Sequence, residues 1–306
     1  MHTLVMTGAT RGIGRIAARE ILRLAPDTRL LVLARGASGP QVCAELSGAG
    51  YAASHVEADL ASLAGIRSAA RRIHDMLDRG EVPPLAGFVG NAGIQYTDAT
   101  IATEDGLEAT FAVNVVANHL LLRLLGDRFV VPSRIVITVS DTHFGDLRHN
   151  LGMVPGPVWH SPDVLAHPGA FADPSSTAAG RTAYSTSKLA MIYLVHEYAR
   201  RLPAGVEILS YNPGFVPGTE LTRNAGRLER FAARRLARAL TWTPLASTPK
   251  TAGRRLAAVV TGSVPAESGS YIDRHRVTES SPESYDPARE REVWECAERL
   301  TAAHPD

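Results

Sequence analysis

At 306 residues the chain is long enough for one large α/β domain with a substantial core, or for two small ones. Its formal net charge of +1 excludes a general attraction to nucleic acid or to an anionic membrane. Its two cysteines, Cys43 and Cys296, match no metal or redox spacing, which fits a reducing compartment, and the scarcity of lysine beside arginine reads as the codon bias of a GC-rich genome.

The first strand-like run, Thr3-Leu4-Val5-Met6-Thr7, begins almost at the first Met, which leaves no room for a signal peptide. No apolar run reaches the ~18 residues of a membrane span, so the expectation is a soluble cytoplasmic protein. Further strands are read at Leu30-Leu31-Val32-Leu33, Gly87-Phe88-Val89, Ile135-Val136-Ile137-Thr138-Val139 and Val206-Glu207-Ile208-Leu209-Ser210, with Ser270-Tyr271-Ile272 closing the sheet. Their near-continuous hydrophobicity suits a parallel sheet buried on both faces. Helical patterns lie between them at 13–25, 62–80, 103–126 and 180–201. This alternation predicts a single-domain α/β protein with a doubly wound parallel sheet. Three additions are expected on that core: a Pro- and Gly-rich flap at about 144–180, a basic amphipathic lid at about 217–245, and a terminal helix at about 286–303.

Where the first strand turns into the first helix the chain reads Thr7-Gly8-Ala9-Thr10-Arg11-Gly12-Ile13-Gly14. Glycines there allow a tight turn and close approach of a pyrophosphate to backbone N–H groups, and the helix N-terminus adds a favourable partial charge. The Gly-x-x-x-Gly-x-Gly spacing differs from the generic dinucleotide fingerprint. The second strand ends Val32-Leu33-Ala34-Arg35-Gly36, with no acid to hold a ribose 2′-hydroxyl. Arg35, with Arg11, can instead clamp a 2′-phosphate, so NADP(H) is favoured over NAD(H). In Tyr184-Ser185-Thr186-Ser187-Lys188 the four-residue spacing stacks a phenol and an ammonium on one helix face. A neighbouring positive charge favours phenolate, and a Tyr tuned that way moves a proton to or from a carbonyl or alcohol oxygen.

Together these residues resemble the short-chain dehydrogenase/reductase family over nearly the whole chain, in the branch with retinol dehydrogenases and protochlorophyllide reductases. The segments that carry the resemblance are the 7–14 loop, Asp59-Leu60, Asn91-Ala92-Gly93, Phe111-Ala112-Val113-Asn114, the 134–140 strand, the Tyr184/Lys188 pair, Pro213-Gly214 and the 287–300 tail. The resemblance implies a Rossmann-type fold and a catalytic set of Ser140, Tyr184, Lys188 and Asn114. Ser140 would hold the substrate oxygen, with Thr142 as the fallback if the register slips. Tyr184 would donate the proton, and Lys188 would hold the nicotinamide ribose and favour the phenolate. Asn114 would hold a relay water or serve as a packing residue. The implied NADPH/NADP+ site is lined by Gly8, Thr10, Arg11, Gly12, Ile13, Gly14, Arg35, Asp59, Leu60, Asn91, Ala92 and Gly93. Tyr184, Lys188, Pro213, Gly214, Val216 and Thr219 complete it, with Asp59 at the adenine amino group.

Ser140 and Tyr184 lie 44 positions apart, which implies that 144–180 covers the substrate. His160 and His167 within it are read as loop or surface residues, and no metal is expected. The six arginines between Arg223 and Arg238 suit a lid helix with a solvated basic face, ahead of a membrane-surface helix. The expected activity is NADPH-dependent reduction of a hydrophobic ketone or aldehyde, or the reverse oxidation, with an aromatic or polyketide-like substrate from bacterial secondary metabolism. Reduction of a C=C bond and a non-catalytic NADP(H)-binding regulator are the alternatives. Expected partners are the small-molecule substrate alone, without nucleic acid or membrane, and relatives leave homo-oligomerisation open.

Overall fold

The computed structural model describes residues 1–150, 152, 154–216 and 247–302. Eight strands form one sheet: β1 (His2–Thr7), β2 (Thr28–Ala34), β3 (Ala53–Glu57), β4 (Leu85–Gly90), β5 (Phe129–Thr138), β6 (Val206–Asn212), β7 (Tyr271–Asp273) and β8 (Arg276–Thr278). Their order is β3-β2-β1-β4-β5-β6-β7-β8, parallel throughout except for the final antiparallel pair. The chain runs outward from β1 to β3, then returns to place β4 on the other side of β1. That reversal makes a topological switch point at the carboxyl ends of β1 and β4, the place where such folds bind ligands.

Alternation along each strand feeds two cores. Leu4, Met6, Leu30, Val32, Val89, Val136, Leu209 and Tyr211 face one way. They are covered by α1 (Gly12–Leu24), α2 (Ser38–Gly48) and α6 (Pro249–Val260). Val5, Leu31, Leu33, Phe88, Ile135, Ile137 and Ile208 face the other way. Against them pack α3 (Leu63–Asp78), α4 (109–125), α5 (Thr177–Arg201) and α7 (Pro287–Thr301). Burial on both sides is why these strands read as apolar runs rather than as polar–apolar alternation.

Several elements depart from the sequence reading. The pattern at 103–126 begins its helix only at Ala109, because the buried Glu108 carboxylate caps it by accepting from the Thr110 and Phe111 amides. Within α4 the turn Ala112–Val116 is a π-helix. Ser176 caps α5 through the Ala179 amide, so that helix starts three residues before the reading placed it. The sheet does not close at Ile272, since a hairpin adds β8 beyond β7. α2, α6 and β3 escaped notice altogether. Residues 109–128 are apolar and long enough to cross a bilayer by composition, contrary to the reading that no such run exists, but they are largely buried inside the fold.

The contact between α1 and α6 depends on a glycine. A Cβ on Gly253 would lie 2.6 Å from Ile16 Cγ2 and 2.9 Å from the Ile13 carbonyl oxygen. Gly253→Ala is expected to destabilise the protein by about 1–3 kcal/mol through overpacking, read as a lower urea midpoint with an unchanged m-value.

Candidate active site

The β1–α1 loop has the shape of an anion cradle. Gly8 and Gly12 both take left-handed backbone conformations, at φ +69° and +52°. A Cβ on Gly8 would sit 2.7 Å from the Ala92 amide nitrogen, and one on Gly14 would meet the Gly8 carbonyl at 2.0 Å, whereas a Cβ on Gly12 would enter open space. The first turn of α1 has no acidic residue and no side-chain cap, and Arg11 stands at its N-cap. Uncapped N–H groups, a basic neighbour and a glycine that leaves room fit the pyrophosphate of a dinucleotide. Thr10 and Ile13 belong to the same loop and first turn.

Asn91, placed in the cofactor cleft by its resemblance, uses its amide to tie the loop to the sheet. Its Nδ2 donates to the Gly8 carbonyl at 3.1 Å and its Oδ1 accepts from Thr138 Oγ1 at 3.3 Å. Ala92 donates its amide to Thr7 Oγ1 at 3.1 Å. At the end of β2, Arg35 pairs with Asp59 at 3.2 Å, both side chains being well solvated, so the pair contributes little to stability. Asp59 also accepts from the Ala61 amide, and Leu60 packs against the sheet core. The Gly36 amide is taken by Glu57 at 2.9 Å.

Ser140, Tyr184, Lys188 and Asn114 converge at the carboxyl end of β5. Ser140 is the N-cap of a one-turn 3-10 helix, Asp141–Phe144, its Oγ accepting from the Thr142 amide. Its side chain lies close enough to the Tyr184 hydroxyl to lower that group's proton affinity. Lys188 Nζ donates to the Thr138 carbonyl at 3.0 Å and lies 5.5 Å from the centre of the Tyr184 ring. Gly93 closes the space above it: a Cβ there would stand 3.3 Å from Lys188 Nζ and 3.5 Å from Asn114 Oδ1. The Asn114 side chain exchanges hydrogen bonds with the Ile94 backbone and donates to Ser187 Oγ at 2.9 Å. Its amide is therefore occupied by the protein.

The proton affinities correct one expectation. Burial dominates at Tyr184 and pushes its pKa up, with the Ser140 side chain opposing that and the nearby Asp141 charge adding to it. The stabilisation of phenolate expected from Lys188 does not outweigh the loss of water. Burial also lowers the Lys188 pKa, to about 8, because an ammonium with one carbonyl partner has lost most of its hydration.

The segment after β6 carries Pro213, Gly214 and the buried Val216. Gly214 has φ +72°, and a Cβ there would come within 2.6 Å of Arg274 Nε. Thr219 and the basic 223–238 stretch lie outside the described residues. The 144–180 segment runs along α5, with Val158 and Thr186 exchanging hydrogen bonds and Trp159 meeting Tyr193 edge-on at 5.0 Å. Asp163 there forms an ion pair with Arg299 of α7. Among the described residues no three His, Cys, Asp or Glu side chains are grouped to hold a metal.

Sequence reasoning missed three participants. Thr138 supplies the carbonyl for Lys188. His143, fully buried, holds the Ser140 carbonyl through Nδ1 at 2.6 Å and accepts the Ser281 amide at Nε2 at 3.1 Å. Burial brings its pKa down to about 4 and keeps it neutral, with Nδ1 carrying the proton. Asp141 is a buried carboxyl directly after Ser140. The adjacency of Asp141 and His143 to Ser140 was visible in sequence, but nothing there marked either as buried.

Lys188 gives a pH-dependent prediction. Its pKa is about 8 in the fold against 10.5 ordinarily, so at intermediate pH the unfolded chain binds the proton better. The cost is fully present below pH 8 and fades as pH rises towards 10.5. Lys188→Met is expected to be more stable than the parent at pH 7 by about 1–3 kcal/mol, and urea denaturation across pH should show that advantage shrinking above pH 8.

The short chain dehydrogenase family profile matches residues 2–147. A protein of Streptomyces sp. (strain C5) assigned as a daunorubicin C-13 ketoreductase is 36% identical over 70% of this chain and 66% of its own length. Human retinol dehydrogenase 13 is 28% identical over 97% of this chain and 84% of its own length. Protochlorophyllide reductase A of Hordeum vulgare is 29% identical over 97% and 79%. In fold, an uncharacterised protein of Mycobacterium paratuberculosis superposes with a TM-score of 0.66 at 21% identity, covering 98% of this chain and 93% of its own. A metagenomic blue fluorescent protein solved with NADPH gives 0.60 at 22% identity, covering 89% and 95%. On sheet order, site geometry and these matches, the chain belongs to the short-chain dehydrogenase/reductase family and is an oxidoreductase.

Proposed function

We propose that the protein is an NADPH-dependent carbonyl reductase acting on a hydrophobic, aromatic ketone or aldehyde. The observation that carries this reading is the convergence of Ser140, Tyr184 and Lys188 at the end of β5, beside the glycine loop. A bound nicotinamide cofactor supplies the hydride for the carbonyl carbon. Ser140 Oγ holds the carbonyl oxygen, and Tyr184 delivers its proton to that oxygen as the alcohol forms. The raised proton affinity of Tyr184 suits this role, since the group stays protonated at neutral pH. Lys188, at a pKa of about 8, can hand on a proton near neutrality and restore the phenol.

For the phosphate end, Arg11 at the α1 N-cap and Arg35 at the end of β2 support a 2′-phosphate. No acid follows β2 directly to take a 2′-hydroxyl, although Asp59 shares the Arg35 guanidinium. The substrate class is supported by the Streptomyces relative, whose name specifies reduction of a ketone at C-13 of daunorubicin. Product analysis separates ketone reduction from the C=C reduction of the protochlorophyllide enzymes.

Two outcomes test the reading. NADPH absorbance followed against aromatic polyketide, steroid, retinoid and simple aldehyde carbonyls should fall with at least one of them. Tyr184→Phe should lower kcat/KM by about 10²–10⁴-fold while leaving NADPH affinity nearly unchanged; retained turnover would refute the assignment. Arg35→Asp should shift the ratio of NADPH to NADH affinities by about tenfold or more towards NADH, equivalent to ~1.4 kcal/mol, as measured by titration of cofactor fluorescence.

A further inference from the structure

Asp141 has no part in the chemistry above. It follows Ser140, opens the 3-10 turn and is only 8% exposed. Its amide donates to Asn212 Oδ1 at 3.2 Å, which anchors the residue from the backbone. Its carboxylate has one long contact, 3.4 Å from Oδ1 to Ser140 Oγ. A carboxyl so deeply placed and so poorly satisfied is costly in its ionised form.

Charged and titratable groups face it from each described element packed around it. Tyr184 faces it from α5, and Tyr271 from β7. Asp273 faces it from the end of β7, Arg274 from the β7–β8 turn, and His149 from the short helix Leu147–Asn150. Burial, then the like charge of Asp273, raises its pKa to about 6, with Arg274, His149 and Ser140 acting in the opposite sense.

We propose that Asp141 is a second titratable group of the catalytic centre, a positioning residue that acts through Ser140 and Tyr184 and sets the pH above which carbonyl reduction slows. This rests on the reductase reading. In reduction the carbonyl carbon gains a hydride, its oxygen gains the Tyr184 proton, and Tyr184 is left as phenolate until it is reprotonated. An ionised Asp141 next to that developing phenolate opposes the transfer, and a neutral Asp141 does not. Reduction is therefore faster with Asp141 protonated, which matches the proton consumed by the reaction.

The test needs no known substrate. The whole protein is labelled with [ζ-13C]tyrosine, and the Tyr184 resonance is identified by its loss in Tyr184→Phe. In the parent, that resonance should move with a single midpoint near pH 6. The step should vanish in Asp141→Asn and persist in His149→Gln. A Tyr184 resonance that is flat across this range in the parent overturns the proposal, as does a step that survives Asp141→Asn. A kinetic arm uses NADPH-dependent reduction of 9,10-phenanthrenequinone. The parent kcat/KM should fall about tenfold across the same step, the equivalent of one pKa unit at Tyr184, and Asp141→Asn should remove that limb. A loss of stability alone would move neither the Tyr184 midpoint nor this limb. Absence of turnover at every pH counts against the reductase reading, while the Tyr184 resonance still decides the role of Asp141.

Discussion

The site depends on a buried ammonium. Lys188 is almost wholly enclosed, and its hydrogen bond to the Thr138 carbonyl ties α5 to the end of β5. That link fixes the height of α5 against the sheet, and Tyr184, one turn earlier, is carried to Ser140. Gly93 lets the β4 loop close over the same ammonium, and Asn114 holds the next residue of that loop by two hydrogen bonds. Three segments far apart in sequence are thereby referenced to one charge.

Around this centre the polar groups are arranged to restrain rather than to solvate. Asn91 ties the glycine loop to β5, His143 holds the backbone of Ser140, and Asn212 holds the amide of Asp141 while donating to Asp273 at 2.9 Å. Each connects two elements at the carboxyl edge of the sheet. Such cross-links hold reacting groups within the tolerance that proton transfer demands, and burial then shifts the proton affinities of Tyr184, Lys188 and Asp141 away from their values in water.

The strands and the glycine loop were legible because a doubly buried sheet writes itself as apolar runs and a phosphate turn needs glycine at positions that no Cβ can occupy. The Tyr184/Lys188 spacing survived for the same reason, since helical geometry alone brings those side chains onto one face. α2 was obscured by Gly39 and Pro40 in its first turn, and β3 by its mixed His55 and Glu57. α6 did carry a start signal, Thr248 followed by Pro249, with the Thr side chain accepting from the Thr251 amide. The sign of the Tyr184 shift was beyond reach of sequence, because it is decided by a balance between lost water and a nearby charge. Asp141 and His143 were hidden in the same way: their chemistry comes from burial, which is a property of the whole fold.

The contact between His143 and Ser281 has a consequence for how the enzyme is made. The backbone of Ser140 is held through the His143 imidazole, which in turn takes the amide of Ser281, 138 positions beyond that histidine. During synthesis the sheet from β1 to β6 can form while the ribosome is still adding α6, β7 and β8. The loop bearing Ser140 then has an imidazole with an unmet acceptor until residue 281 emerges. The carboxyl edge of the sheet around Ser140 is therefore completed only in the last fraction of translation.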